Sequence, residues 1–355
     1  MNDEETGWQR ADTTWFRQAG WGVLCHYLAA PPSSRGQAGA MTPDAWNRLV
    51  DGFDTRGLAA QLGSAGVRYF FITLGQNTGF YCAPNQTYDS LVPHRPSRLS
   101  RRDLVSDLHD ALAPYGIRLL VYLPSHAAAE DRTAVEALRC TPRWDASAWG
   151  LRPGAYLAAP GVDDRLSDFQ RNWEAVIREW SLRWGTKVWG WWIDGCYHAD
   201  RMYRHPNAPN FRTFAQAMKA GNPQSLVAFN PGVRVPVVSL TEYEDYTAGE
   251  VAGALPVRMD SQWNRQDKAA RYWGMPISAT VDGAQYHVLS FLGEYWCGGT
   301  APRFPNELAI GYTRHINSIG GVVTWDVPIG QDGAQNGLIP EAFLRQLRAM
   351  GEALP

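Results

Sequence analysis

Hydrophobic residues along this chain form short continuous runs that alternate with longer amphipathic segments. The runs are apolar at nearly every position, which is typical of strands buried on both faces of a parallel sheet. The pattern predicts eight strands, at residues 22–28, 68–74, 117–123, 188–194, 225–230, 237–242, 276–282 and 321–327. It predicts helices at residues 55–66, 101–116, 165–185, 210–220, 264–273, 306–318 and 340–352.

Eight strands alternating with helices predict an α/β fold, a (β/α)8 TIM barrel forming a single domain over residues 1–355. A doubly wound sheet is the alternative. Residues 125–164 are rich in Ala, Pro and Trp and predict a long βα loop. Loops at that face of a barrel commonly shape the substrate site.

Composition narrows the possible partners. The formal net charge is -2 and no cluster of Lys or Arg occurs, which argues against binding nucleic acid or anionic membranes. The first ten residues are acidic and polar, and no stretch approaches the roughly 20 apolar residues of a membrane span. We therefore expect a soluble, cytoplasmic protein whose partner is a small-molecule or glycoside substrate. The sequence does not indicate an oligomeric state.

Cysteine and aromatic content refine this expectation. The five cysteines are far apart and include no C-x-x-C pair, so we expect reduced thiols, without disulfides or a zinc site. Glycine-rich phosphate-binding motifs are also missing, and we expect no cofactor. The 16 Trp and 15 Tyr residues exceed what a core needs, which favours an aromatic ligand-binding cleft.

Polar side chains end most of the predicted strands, where the chemistry of a barrel is located. Carboxylates and amides can bind hydroxyl groups while aromatic rings cover C–H faces, so this set suits a polyhydroxylated ligand. In chain order the polar or aromatic strand-end residues are His26, Gln76, Asn77, Tyr122, Ser125, His126, Asp194, Asn230, Glu242, Glu244, Asp245, Asp282, Trp325 and Asp326.

Asp194 is the most distinctive of these residues. It ends the apolar run VWGWWID, no basic residue lies within that strand, and Gly195 after it leaves room for a ligand. The alternative is an aspartate that caps the following turn. Asp282 and Gly283 repeat the arrangement, and there a turn is the main alternative. Paired carboxylates at such positions suit cleavage of a glycosidic bond.

The chain resembles the α-L-fucosidase family of retaining glycoside hydrolases, glycoside hydrolase family 29. Five segments carry the resemblance: WFRQAGWGVLCHYL (15–28), FDTRGLAAQLGSAGVRYFFITLGQNTGF (53–80), SRRDLVSDLHDALAPYGIRLLVYLPS (100–125), WWIDG (191–195) and the closing stretch 315–354. The resemblance implies a catalytic barrel, without the family's C-terminal β-sandwich. It also implies that Asp194 is the nucleophile and that His26 contacts the sugar.

Two parts of the family pattern are altered. Gln76 and Asn77 stand where the family has paired histidines. The stretch YHVLSFLGEYWCGG places His287 at the family's acid/base glutamate, with Glu294 seven residues later. The acid/base candidates are therefore Asp282, Glu242 and Glu294. The residues expected to contact the substrate are His26, Gln76, Asn77, Tyr122, Trp192, His287, Trp296 and Trp325.

Three functions remain open from the sequence. The first is a retaining glycosidase of the α-L-fucosidase type, acting on a small glycoside. The second is a carbohydrate- or ligand-binding protein built on a catalytically altered barrel. The third is an enzyme of specialised metabolism that uses Asp194 as an acid or base on a substrate other than a fucoside.

Overall fold

A computed structural model describes residues 7–29, 41–140, 163, 165–197, 199–257 and 275–354 of the chain. Its strands, labelled β1 to β10 in order, are Trp21–Cys25, Tyr69–Thr73, Arg118–Pro124, Val188–Asp194, Leu226–Phe229, Glu250–Ala252, Thr280–Val281, Ala284–Gln285, His287–Phe291 and Val322–Asp326. Its α-helices are Thr14–Ala19, Pro43–Asp51, Thr55–Ser64, Gln86–Leu91, Leu104–Leu112, Arg132–Leu138, Ser167–Trp184, Ala199–Met202, Phe211–Met218, Asn306–Ser318 and Glu341–Ala353.

Eight of the strands form one parallel sheet in the order β5-β4-β3-β2-β1-β10-β9-β6. The chain just before β6 runs between β5 and the segment that leads into β9. There the Asp245 N–H donates to the Val227 carbonyl at 2.8 Å, and the Gln285 N–H donates to the Asp245 carbonyl at 2.9 Å. These bonds connect the two edges of the curled sheet. The prediction of a (β/α)8 barrel is confirmed.

Two apolar layers hold the barrel together. Outward-facing strand residues such as Val23 and Ile72 belong to the layer shared with the helices, while Phe71 and Leu120 fill the barrel interior. The short helix Thr14–Ala19 closes the amino-terminal end, because its Phe16 ring packs 4.8 Å from Tyr69, measured between ring centroids. The barrel is therefore closed at its amino-terminal end, and open space lies at the carboxyl ends of the strands.

Six of the eight predicted strands are present, and two predictions are wrong. Residues 237–242 form a loop, in which the Leu240 N–H donates to the Glu244 side chain at 2.6 Å instead of to a neighbouring strand. The sixth barrel strand is the three-residue Glu250–Ala252. Residues 276–282 lead into the antiparallel hairpin of β7 and β8, and the barrel strand there is His287–Phe291.

Most helix predictions agree with the structure to within a few residues. The helix expected at 264–273 lies outside the described residues. The same holds for most of the loop expected at 125–164, of which residues 125–140 and residue 163 are described, with the helix Arg132–Leu138 within them. All five cysteines are unpaired, as expected, and four of them are buried.

Candidate active site

A cleft of about 220 Å³ opens at the carboxyl ends of the barrel strands. Strands end there side by side, so side chains that are distant in sequence converge on one space. Its lining combines two carboxylates with aromatic rings, two leucines and hydrogen-bonding groups. The described residues that line it are Leu24, His26, Gln76, Tyr122, Trp192, Asp194, Tyr197, Glu250, Leu289 and Trp296.

Asp194 ends β4 and is held by two hydrogen-bond donors. The Tyr122 hydroxyl donates to Oδ2 at 2.6 Å, and Nδ2 of Asn230 donates to Oδ1 at 2.8 Å. Tyr122 comes from β3 and Asn230 follows β5, so the two strands that flank β4 supply one donor each. The carboxylate is therefore fixed in orientation at the cleft surface, as an attacking nucleophile requires.

Glu250 is the second carboxylate of the cleft, at the start of β6. Its Oε2 accepts a hydrogen bond of 2.6 Å from the same Asn230 nitrogen that donates to Asp194. The two carboxylate oxygens can therefore be no more than 5.4 Å apart, the sum of their distances to that nitrogen. Retaining glycosidases hold their carboxyl groups about 5 to 5.5 Å apart, and inverting ones about 6.5 to 9.5 Å.

The surroundings of Glu250 favour its protonated form. Burial and then the charge of Asp194 raise its pKa to about 7, because both disfavour a second negative charge in the cleft. A carboxyl group with such a pKa can donate a proton near neutral pH and accept one afterwards. Burial, with Asp194, also raises the pKa of Tyr122, so its hydroxyl keeps its proton.

His26 follows β1 and lines the cleft beside Tyr122, with ring centroids 5.5 Å apart. Its Nδ1 lies 2.7 Å from Oδ1 of Asp326, and Oδ2 of Asp326 accepts from the Cys297 N–H at 2.5 Å. Asp326 thus fixes the ring with its other nitrogen, Nε2, free of hydrogen bonds to the described residues. That nitrogen can bind a substrate hydroxyl, the contact expected for His26.

Aromatic rings make up much of the remaining wall. Trp192 stacks on Tyr122 with ring centroids 5.3 Å apart and an interplanar angle of 21°. Trp296 meets His26 edge-on at 6.2 Å and is half-buried. Rings presented in this way can cover the C–H face of a sugar. Six of the site residues expected from the sequence line the cleft: His26, Gln76, Tyr122, Trp192, Asp194 and Trp296.

The three acid/base candidates from the sequence lie outside this cleft lining, which corrects that expectation. Asp282 is exposed in the turn of the β7–β8 hairpin, with positive φ at Asp282 and Gly283 as a two-residue hairpin turn requires. This hairpin precedes β9, at the opposite end of the barrel. Glu242 is in the loop after β5, where it accepts from the Thr241 hydroxyl at 3.1 Å. Glu294 is exposed in a turn after β9.

Three of the expected substrate contacts are also elsewhere. His287 is buried in the barrel interior, where its Nε2 lies 2.7 Å from the Thr324 hydroxyl, and burial lowers its pKa to about 4. Trp325 points outward, and its indole N–H donates to the Thr313 hydroxyl on the helix Asn306–Ser318. Asn77 is half-buried beside the cleft residue Gln76 but is not among the described residues that line the cleft.

Glu250 is the main functional residue that the sequence reasoning missed. It begins a strand of only three residues, and the sixth strand was expected at 237–242, so residue 250 was not considered part of the barrel sheet. A signal was present in the sequence. Gly249 directly before it again places a glycine beside an acid, although here the glycine comes first and the acid begins the strand.

Over the described ranges, no group of three or more His, Cys, Asp or Glu side chains is placed to hold a metal ion. Among the helices in that part of the chain, none is both long enough and apolar enough to cross a bilayer.

Comparison with known proteins identifies similar solved structures, whereas no family model and no curated protein matches the chain. The endo-fucoidan hydrolase MfFcnA4 of glycoside hydrolase family 107 has a TM-score of 0.65 at 18% identity, covering 96% of this chain and 53% of its own. A fucosyltransferase mutant of the α-L-fucosidase AlfC has a TM-score of 0.60 at 14% identity, covering 99% and 98%. α-L-Fucosidase isoenzyme 1 from Paenibacillus thiaminolyticus has a TM-score of 0.57 at 14% identity, and the match covers 96% of this chain and 74% of that protein. This chain thus spans about half the length of the first of these structures, and at such identities the likeness shows the barrel fold alone.

Proposed function

We propose that this protein is a retaining glycoside hydrolase, with Asp194 as the nucleophile and Glu250 as the acid/base. The observation that carries the proposal is the pair of carboxylates held by one amide nitrogen of Asn230, at 2.8 Å and 2.6 Å. This spacing suits a covalent glycosyl-enzyme mechanism better than the wider spacing that an attacking water needs.

The two carboxylates divide the reaction between them. In the first step an oxygen of Asp194 bonds to the anomeric carbon, the bond from that carbon to the leaving oxygen breaks, and Glu250 gives its proton to the leaving oxygen. In the second step Glu250, now ionised, takes a proton from water. The water oxygen bonds to the anomeric carbon, and the bond to Asp194 breaks.

An α-L-fucoside is the substrate to test first. Similar folds occur in proteins named as α-L-fucosidases and endo-fucoidan hydrolases, and His26 stands where the resembled family binds its sugar. The volume of the cleft, about 220 Å³, suits one sugar ring. Leu24 and Leu289 add apolar surface to the lining, which suits a sugar with an apolar substituent.

The charge of the lining favours an uncharged glycoside. Two carboxylates and no Lys or Arg are among the ten described residues that line the cleft. A sulfated or carboxylated ring would bring a further negative charge into this acidic cleft, and a repulsion of about 1.4 kcal/mol would lower its affinity tenfold. We therefore expect kcat/KM for a neutral aryl glycoside to exceed that for its sulfated analogue by about tenfold or more.

The test is hydrolysis of a panel of aryl glycosides that includes an α-L-fucoside, with the first-formed sugar observed by proton NMR. We expect release of the aryl group, a product that first retains its anomeric configuration, and no turnover by Asp194→Asn. Circular dichroism checks that the variant folds. An inverted first product, or full activity in Asp194→Asn, would contradict the proposal. Binding of sugars without any hydrolysis would instead favour the ligand-binding function.

A further inference from the structure

Gln76, Tyr122 and Asp194 form a chain of two short hydrogen bonds at the edge of the cleft. Nε2 of Gln76 lies 2.6 Å from the Tyr122 hydroxyl, and that hydroxyl lies 2.6 Å from Oδ2 of Asp194. Gln76 comes from the loop after β2, so the chain connects three successive strands of the barrel. The Tyr122 side chain is buried at 2% exposure, which keeps water away from its ring.

The chemistry of these groups gives the chain one direction. An amide nitrogen only donates and a carboxylate only accepts, whereas a phenol carries a single proton. The Tyr122 oxygen therefore accepts a hydrogen bond from Gln76, and its hydroxyl donates one to Asp194. Stacking on Trp192 holds the Tyr122 ring in place.

We infer that Gln76 is a positioning residue for the nucleophile, acting through Tyr122. By donating to the phenol oxygen, Gln76 prevents Tyr122 from turning its proton away from Asp194. Tyr122 then holds Oδ2 while Asn230 holds Oδ1, so the carboxylate plane stays fixed toward the substrate. This role rests on the proposed function of Asp194.

The glutamine at this position matters for the direction of the chain. A neutral histidine, the residue type of the resembled family, can donate or accept at either nitrogen according to its tautomer. A glutamine amide likewise offers its nitrogen as a donor or its oxygen as an acceptor according to its rotamer, and here Nε2 faces Tyr122. Because Asp194 only accepts, the Tyr122 hydroxyl donates to it, and the nitrogen of Gln76 is the end of the amide that matches the Tyr122 oxygen.

The decisive variant is Gln76→Glu, which keeps the size of the side chain and replaces the donor by an acceptor. The introduced carboxylate competes with Asp194 for the Tyr122 proton. We expect kcat to fall about tenfold to a hundredfold with KM changed less than about threefold, since a small misplacement of a reacting group costs rate more than binding. Below about pH 5 the introduced carboxyl protonates, can donate again, and restores much of kcat relative to the wild type.

Thr78→Glu is the matched control. It adds the same charge to the same loop, but Thr78 is not among the described residues that line the cleft, so kcat should remain within about twofold of the wild type. Melting temperatures of both variants separate loss of folding from loss of rate. Equal kcat for Gln76→Glu and the wild type at neutral pH, or an equal loss in Thr78→Glu, would overturn the inference.

A second readout does not require enzymatic activity. The hydrogen-bonded hydroxyl proton of Tyr122 should give a downfield proton NMR resonance in the wild type, which Tyr122→Phe removes and Gln76→Glu shifts. If the wild type hydrolyses no glycoside, the proposed function fails. The resonance still tests the hydrogen-bond chain, because an unchanged resonance in Gln76→Glu would show that Gln76 does not direct the Tyr122 proton.

Discussion

Replacing Glu250 by Gln tests the acid/base assignment with a change of one group. The amide oxygen of the introduced side chain can still accept the hydrogen bond from Nδ2 of Asn230, so this contact is kept. Glu250 has a pKa raised to about 7 by burial and by Asp194. If only the protonated form donates to the leaving group, wild-type kcat/KM should be half its plateau near pH 7 and about a tenth of it at pH 8.

The assay is the pH dependence of kcat/KM for two aryl glycosides, one with a good and one with a poor leaving group. Glu250→Gln should lower kcat/KM about 10²- to 10⁴-fold for the poor leaving group, and much less for the good one, which departs without a proton. The alkaline fall near pH 7 should also vanish. Sodium azide should restore turnover of the substrate with the good leaving group, because it attacks the glycosyl-enzyme without needing a base.

Glu294→Gln is the matched comparison, since this acid is exposed in a turn after β9 and is not among the described lining residues. Glu294→Gln makes the same chemical change as Glu250→Gln, and we expect kcat/KM to change little. Full activity of Glu250→Gln on the substrate with the poor leaving group would refute the role of Glu250 as the acid/base, and so would an equal loss of kcat/KM in Glu294→Gln.

Two further predictions concern stability. Gly249→Ala should cost about 2 kcal/mol or more, because Gly249 has φ of +68° and an added Cβ would lie 2.0 Å from the His287 carbonyl oxygen. Gly116 has the same φ of +68°, but an added Cβ there would have no atom within 4 Å, so Gly116→Ala should cost only about 1 kcal/mol. Urea denaturation measures both losses of stability. Similar losses for the two variants would exclude the steric clash as the cause. Burial raises the pKa of Glu174 from 4.5 to about 7, so the folded protein holds this proton more tightly than the unfolded chain, and stability falls as pH rises through that window. The free energy of unfolding of Glu174→Gln minus that of the wild type should therefore rise by about 2 to 3 kcal/mol from pH 4.5 to pH 8. A difference that stays constant over that range would contradict the prediction.

The barrel could be predicted from the sequence because most of its strands are buried on both faces. Strand β3, for example, consists almost wholly of apolar residues, and it lies within the predicted range 117–123 apart from its last residue. The sixth strand could not be found in this way, since Glu250–Ala252 is too short to show any hydrophobic period. Residues 237–242 have a more strand-like composition, but their backbone bonds to a loop side chain.

The residues of the candidate site also differ in whether they belong to long apolar strands or to a short strand reached through a loop. Asp194 and Tyr122 lie at or near the ends of long apolar strands, so their positions at the cleft could be predicted from the pattern. Glu250 follows a loop whose course depends on tertiary hydrogen bonds, such as those that place Asp245 beside Val227. The hairpin at Asp282 misled the prediction because an acid followed by glycine serves both strand ends and tight turns. Local sequence does not separate these two uses.

The identity of the residue that becomes glycosylated tests the central claim most directly. The enzyme is incubated with a fluorinated fucosyl fluoride, or with the corresponding derivative of whichever sugar proves to be the substrate, and the modified peptide is sequenced by mass spectrometry. The fluorine slows the second step, so the covalent intermediate accumulates. We expect one label per chain, on Asp194. A label on Glu250 or on any other residue, or no label in an enzyme that hydrolyses the parent glycoside, would contradict it.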